Sequence, residues 1–221
     1  MKRREYSPEL TPARYAQTAH GASTPGVQLT AESTAKIIVI GASTGGTEAI
    51  RKVIEKFPET TPGTIIVQHM PASFTKMFSE RLNQLCPMEV KEAEHGDRIR
   101  NGLILIAPGG KQLEIIRSEG FYEVRLGGTE KISGHCPSVD VMMHSVAKYV
   151  GANAVAAILT GMGQDGAEGM LAMRQAGARC ISQDEASSVV FGMPRVAYEK
   201  GGAERLVPLD NVATSLLNLL A

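Results

Sequence analysis

Three residues of the types that acyl transfer needs stand just past apolar runs. Ser43 lies in Gly41-Ala42-Ser43-Thr44-Gly45, His69 in Gln68-His69-Met70-Pro71, and Asp165 in Gly161-Met162-Gly163-Gln164-Asp165-Gly166. The first stretch has the G-x-S-x-G spacing of a nucleophile elbow, a sharp strand-to-helix turn that lifts a serine hydroxyl above a sheet. A hydroxyl is a poor nucleophile unless a base takes its proton as it attacks, and an imidazole can do so near neutral pH. A carboxylate then holds the imidazole in the right tautomer and stabilises the imidazolium. In these terms Ser43 is the candidate nucleophile, His69 the base and Asp165 the orienting acid. Their order along the chain differs from the Ser, Asp/Glu, His order usual in α/β-hydrolases.

Each residue also has a plain structural reading. Ser43 could cap a helix, His69 could be a hydrogen-bonded structural histidine, and Asp165 could be the N-cap of the helix that follows it. What sets the three apart is their shared position past buried strands. A dinucleotide site fits less well, because Gly41, Gly45 and Gly46 do not match G-x-G-x-x-G. Nor does the second strand end in an acidic residue, offering Gln68 and His69 instead. A Walker A loop fails for want of a following Gly-Lys-Ser/Thr. Among the other histidines, His95 falls in a charged loop, His135 in a loop beside Cys136, His144 on a helix and His20 in the N-terminal segment. Met162, Met170 and Met173 read mostly as helix core.

The elements that would carry these residues alternate. "KIIVIG" is a buried strand, followed by a helix whose stripe is Ala49, Ile50, Val53, Ile54 and Phe57. "TIIVQ" is a second strand, "SFTKMFSERLNQL" a second helix. "GLILIAPGG" and "KQLEIIRSEGFYEVRLGG" read as antiparallel strands, turning at Ser118-Glu119-Gly120. "SVDVMMHSVAKYVG" returns to helical period, with Ser138 as N-cap and Asp140 in the first turn. Then come the strand "NAVAAILTG", the helix "DGAEGMLAMRQAG" and the strand "ARCISQD". The short helix "PRVAYEKGG" and the closing helix "VPLDNVATSLLNLLA" complete the chain. Such alternation predicts a doubly wound, three-layer αβα fold with a mainly parallel sheet and an antiparallel hairpin insertion. Its ligand site should lie beyond the carboxyl ends of the strands.

Composition narrows the function classes. The chain has 221 residues, 43% of them hydrophobic, enough for one sizeable domain. Residues 1–35, rich in Thr, Ser, Ala, Pro and Gly, read as a linker or tail, and residues 36–221 as the folded domain. With 23 basic and 23 acidic residues there is neither the basic excess nor the stripe of a nucleic-acid binder. Cys86, Cys136 and Cys180 match neither a disulfide framework nor a zinc pattern, which points to a reducing cytoplasm. No cofactor or metal is expected. The segment "MKRREYSPEL" lacks the apolar region of a signal peptide, and no run is long enough to insert in a membrane.

Together, "IGASTGG", "VQHMP", "PSVDV", "ILTGMGQDGAEGM" and "VVFGMPR" resemble the catalytic domain of the chemotaxis protein-glutamate methylesterases, the CheB family. The likeness runs from about Ile37 to the C-terminus. It implies that Ser43, His69 and Asp165 are catalytic, that the Met162 N–H helps hold an oxyanion, and that Thr44 neighbours the site. It also implies hydrolysis of glutamate γ-methyl esters, and deamidation of glutamines, on the cytoplasmic helices of chemoreceptors. The glycines of the turn would keep side chains clear of the approaching ester. A further implied partner is a receiver domain, phosphorylated by its kinase and covering the site until activation; residues 1–35 look like the linker to it. The pattern commonly has a basic residue before "PSVDV", where this chain has Cys136. A non-catalytic receptor-docking domain of the same fold is the alternative, and an intact Ser43, His69 and Asp165 set favours the enzyme.

Overall fold

The computed structural model describes residues 36–220; the expected linker over 1–35, with His20, lies outside the described residues. Strand β1 (Ile37–Ala42) is buried along its whole length, as is β2 (Thr64–Gln68). Between them runs helix α1 (Gly46–Ile54), which buries Ala49, Ile50, Val53 and Ile54. The helix stops short of Phe57, yet that ring is still fully buried. Helix α2 (Ala72–Asn83) leads to the short strand β3 (Glu89–Glu92) and then to β4 (Leu103–Ile106). A hairpin, β5 (Gln112–Ser118) and β6 (Phe121–Gly127), precedes helix α3 (Val139–Tyr149). The last third comprises β7 (Ala154–Ile158), α4 (Ala167–Gln175), β8 (Arg179–Gln183), α5 (Met193–Glu199), β9 (Leu206–Val207) and α6 (Leu209–Leu219).

Seven strands form one sheet in the order β3-β4-β2-β1-β7-β8-β9, every pair parallel. Both faces are covered, so the strands read as continuous apolar runs rather than alternating ones. The alternation survives in where the side chains go. Ile38 and Ile40 pack with α1, α2 and α6, while Ile37 and Val39 pack with α3, α4, α5 and the hairpin. The doubly wound three-layer expectation holds.

Two features differ from the sequence-based reading. The run Leu103–Ile106 does not pair with the hairpin; it is a buried, parallel strand of the main sheet, between β3 and β2. A short apolar run carries no mark of its partner's direction, which is set by the crossover that precedes it. The edge strands β3 and β9 leave no mark in the sequence, being too short or too polar to show a period. The hairpin itself is as expected. Ser118 pairs with Phe121 across a turn in which Glu119 and Gly120 both take positive φ, 47° and 94°. Among the described residues no helix is long and apolar enough to cross a membrane.

Helices α3 and α4 pack closely because residue 169 has no side chain. A Cβ there would lie 2.7 Å from the Cβ of Met143 and 3.0 Å from the carbonyl oxygen of Asp140. Gly169→Ala is therefore expected to lose about 1–3 kcal/mol to overpacking, partly offset by the up to ~1 kcal/mol that alanine adds to a helix. Denaturant unfolding would show a lower midpoint; an unchanged or raised midpoint would mean that the two helices can separate without cost.

Candidate active site

Because β2, β1 and β7 are neighbours, the residues that follow them converge. The register pairs Ala42 with Gln68 on one side of β1 and Gly41 with Ile158 on the other. Ser43 and His69 therefore leave adjacent strand ends, and the loop carrying Asp165 rises beside them. Chain order reverses here, since β1 is followed on one side by β2 and joined on the other only later by β7. This is the crevice where open α/β sheets place their ligands.

The turn after β1 is clamped from three directions. The Ser43 N–H donates to the Thr160 carbonyl at 3.0 Å, and the Ser43 carbonyl accepts from the Gly46 N–H at 2.8 Å. The buried Gln68 side chain donates from Nε2 to the carbonyls of both Ser43, at 2.9 Å, and His69, at 3.1 Å. One amide thus ties the turn to the neighbouring strand end. The His69 N–H completes the link by donating to the Ala42 carbonyl at 3.1 Å.

The glycines of this region are required by packing. A Cβ at Gly41 would meet Val139 Cγ1 at 2.4 Å, and one at Gly46 would meet Gln68 Oε1 at 2.1 Å. At Gly45, whose φ of 80° is itself unfavourable for a side chain, a Cβ would meet Val189 at 2.7 Å.

His69 is nearly sealed, its side chain 7% exposed, and its Nε2 lies 2.7 Å from Asp165 Oδ2. Its other nitrogen, Nδ1, is buried without a partner. Asp165 is not the cap of its own helix. The N-cap of α4 is Gly166, with φ 93° and no side-chain bond. Instead the Asp165 carboxylate caps α3. It accepts from the Ser138 hydroxyl at 2.7 Å, from the Val139 N–H at 2.7 Å and from the Asp140 N–H at 3.1 Å. Ser138 is the expected N-cap of α3, accepting from the Val141 N–H, and the same hydroxyl donates to Asp165. Burial alone would push the Asp165 carboxyl up, but the bonds from His69, Ser138 and Val139 outweigh it and hold the group below its ordinary range. An ionised Asp165 keeps the proton of the imidazole on Nε2 and leaves the Nδ1 lone pair free.

Asp140 returns the exchange. Its side chain accepts from the Gly169 N–H at 2.8 Å, in the first turn of α4. Two helix N-termini thus cap one another with swapped aspartates. Burial pushes the Asp140 carboxyl up to about 7, against the pull of the Gly169 N–H and with the help of the adjacent Asp165 charge.

Met162 sits in the loop after β7, 72% exposed, and Thr44 is exposed beside Ser43, so both border the open side of the crevice. The loop is fixed from below, where the Gly161 N–H donates to the Val190 carbonyl and its carbonyl accepts from the Met193 N–H. Met170 and Met173 are core, as read, while Met162 is not. The Ser43 hydroxyl makes no hydrogen bond among the described residues, so the pairing of Ser43 with His69 is not formed in this geometry. Among the described residues no group of three or more His, Cys, Asp or Glu could hold a metal ion.

Two participants escaped the sequence. By sequence Gln68 is only the end of a strand. His135, read as a loop residue, lies flat on His69 with ring centroids 3.7 Å apart and planes 7° apart. The role of each lies in a contact that only the assembled strand ends and the loop before α3 create.

Comparison with known proteins agrees with this architecture. Residues 38–216 match the CheB methylesterase family. Over 191 residues the chain is 66% identical to the protein-glutamate methylesterase/protein-glutamine glutaminase of Syntrophotalea carbinolica, covering 86% of this chain and 54% of that protein. The enzyme of the same name from Salmonella typhimurium is 55% identical over 185 residues, covering 84% and 53%. The chain thus spans about half the length of the curated relatives it matches. The crystal structure of the Thermotoga maritima CheB methylesterase catalytic domain superposes with a TM-score of 0.81 at 36% identity. It covers 84% of this chain and 98% of that one.

The swapped caps make a prediction about stability and pH. A carboxyl whose folded-state value is raised contributes stability that is complete below the ordinary carboxylate range (~3.9) and is lost as pH rises through the folded value. For Asp140 that window runs from roughly 4 to about 7. Asp140→Asn, which mimics the protonated form, should leave the protein at least as stable as wild type at pH 8, with the gap closing towards pH 4. Asp165 has the opposite sign: its stability is present above the ordinary range and disappears as pH falls through its lower folded value. Chemical unfolding of both proteins across this range decides the matter, and an Asp140→Asn variant that is less stable at every pH would contradict it.

Proposed function

This chain belongs to the CheB methylesterase family, and on that footing we propose that it is a serine hydrolase. Its substrates are glutamate γ-methyl esters, and glutamines, on the cytoplasmic helices of chemoreceptors, and its role is chemotactic adaptation. The observation that carries the reading is the buried pairing of His69 Nε2 with a fourfold-bonded Asp165, one strand end away from Ser43.

In this scheme Asp165 stays ionised and holds the Nε2–H, so Nδ1 of His69 is the basic nitrogen. Ser43 Oγ attacks the ester carbonyl carbon while its proton passes to Nδ1. The electron pair displaced onto the carbonyl oxygen is met by the Met162 N–H, with Thr44 beside it. Asp165 stabilises the imidazolium, which then protonates the departing methoxide, and methanol leaves an acyl-Ser43. Water, deprotonated by His69, attacks the acyl group, and the free glutamate carboxylate departs with Ser43 restored. For a glutamine the leaving group is ammonia and the steps are the same. No cofactor enters at any point.

Reading Met162 and Thr44 as the open rim accounts for access by a helix, whose ester side chain reaches down to a hydroxyl recessed between strand ends. In longer chains a receiver domain, joined through a linker like residues 1–35, would cover this rim at rest and uncover it on phosphorylation by its kinase. The reaction is placed in the cytoplasm.

Ser43→Ala is expected to lower methanol release from methylated receptor membranes by on the order of 10⁴–10⁶ with its unfolding midpoint unchanged. A folded Ser43→Ala protein that still released methanol would eliminate the serine mechanism. Asp165→Asn should cost about 10⁴, since the imidazole tautomer is no longer enforced. If wild type released no methanol but bound receptor membranes as tightly as Ser43→Ala does, the docking alternative would take its place.

A further inference from the structure

The chain between β6 and α3 is built to present one side chain. Ile132 and His135 exchange both backbone N–H···O=C bonds, each at 2.9 Å, across a turn in which Ser133 and Gly134 take φ of 52° and 84°. The buried Gln112 side chain pins both ends of this turn. Its Nε2 donates to the carbonyls of Glu130 at 2.9 Å and His135 at 3.2 Å, and its Oε1 accepts from the Ser138 N–H at 2.8 Å. On the far side the Cys136 carbonyl accepts from the Gly110 N–H at 3.0 Å. The product of these bonds is the parallel stack of His135 on His69. The His135 ring makes no hydrogen bond among the described residues, so it meets its neighbour through its face.

We propose that His135 is a positioning residue for His69: its stacked imidazole fixes the plane of the base and stabilises the base's cationic form. The inference rests on the reading of His69 as the base. The physical need is clear. A histidine's χ2 torsion is soft, and the bond to Asp165 holds the ring at one atom, leaving the plane of the ring, and so the direction of Nδ1, free to turn about that bond. A flat neighbour removes that rotation. During turnover His69 carries a positive charge, and a neutral ring face lying on it is favourable.

His135 meets the requirement of neutrality. Burial, and after it repulsion from His69, holds its imidazole below the ordinary range; Asp165 opposes this and Lys131 adds to it.

The test compares His135→Ala, His135→Leu and His135→Phe in the 221-residue chain. With methylated receptor membranes as substrate, Ala and Leu should lower kcat about tenfold with KM within about twofold of wild type. Phe, which restores a flat ring, should recover all but about threefold. Equal rates for Leu and Phe would show that bulk suffices, and a change confined to KM would make His135 a substrate contact; either result overturns the proposal, as does full activity in Ala. A second readout needs no activity. The His69 Nε2–H proton, followed by NMR in ¹⁵N-labelled protein, should be sharp in wild type and His135→Phe but broadened by exchange in His135→Ala and His135→Leu. An unaltered signal in His135→Ala overturns the proposal. Should wild type release no methanol, the hydrolase reading fails while the NMR comparison still decides the role of His135.

Discussion

A carboxylate at 2% exposure cannot stand unless its lone pairs are occupied, and around Asp165 that requirement organises the molecule. Four donors reach it, from His69, Ser138, Val139 and Asp140. They come from the end of β2 and the first turn of α3, elements far apart in sequence, so meeting the charge forces their meeting in space. The α3 N-terminus also contributes its dipole, whose positive end faces the carboxylate. Asp140 answers with the same device in reverse at α4. The loop bearing the acid is therefore held at both of its helix ends, and the imidazole is positioned against a group that cannot move.

Tight packing beneath the strand ends does the rest. Val139 lies where a side chain at Gly41 or Gly166 would have to be, so the first residue of α3 nests between the turn after β1 and the loop after β7. The Gln68 side chain occupies the space that Gly46 leaves and bonds the carbonyls of Ser43 and His69 together. Small residues here act as sockets for larger ones from other elements. Such interlocking fixes where the residues at the strand ends stand, since side chains locked by packing keep their neighbours in place.

The matched region spans about half the length of the curated relatives and almost the whole of a solved catalytic domain. Among the described residues, a core of buried apolar side chains lies on either face of the sheet.

Much of this was legible in the residues. Buried strands announce themselves by unbroken Val, Ile and Ala runs, and helices by stripes such as Ala49, Ile50, Val53 and Ile54, because burial and period are local consequences of side-chain chemistry. That Ser43, His69 and Asp165 follow such strands could be read for the same reason, and sheet topology then makes strand ends converge. Three things could not be read. Leu103–Ile106 is as apolar as any strand, but its parallel pairing depends on the crossover before it. Asp165 looks like a cap for its own helix, and only the docking of α3 shows that it caps that helix instead. His135 has no motif at all; its stack on His69 exists because Gln112, from a different strand, pins the loop that carries it. The sequence by itself determined the elements and the chemistry available at their ends, since those follow from each residue and its near neighbours. Which donor faces which acceptor, and which ring lies on which, was decided by the tertiary structure, because these contacts join residues brought together only by packing.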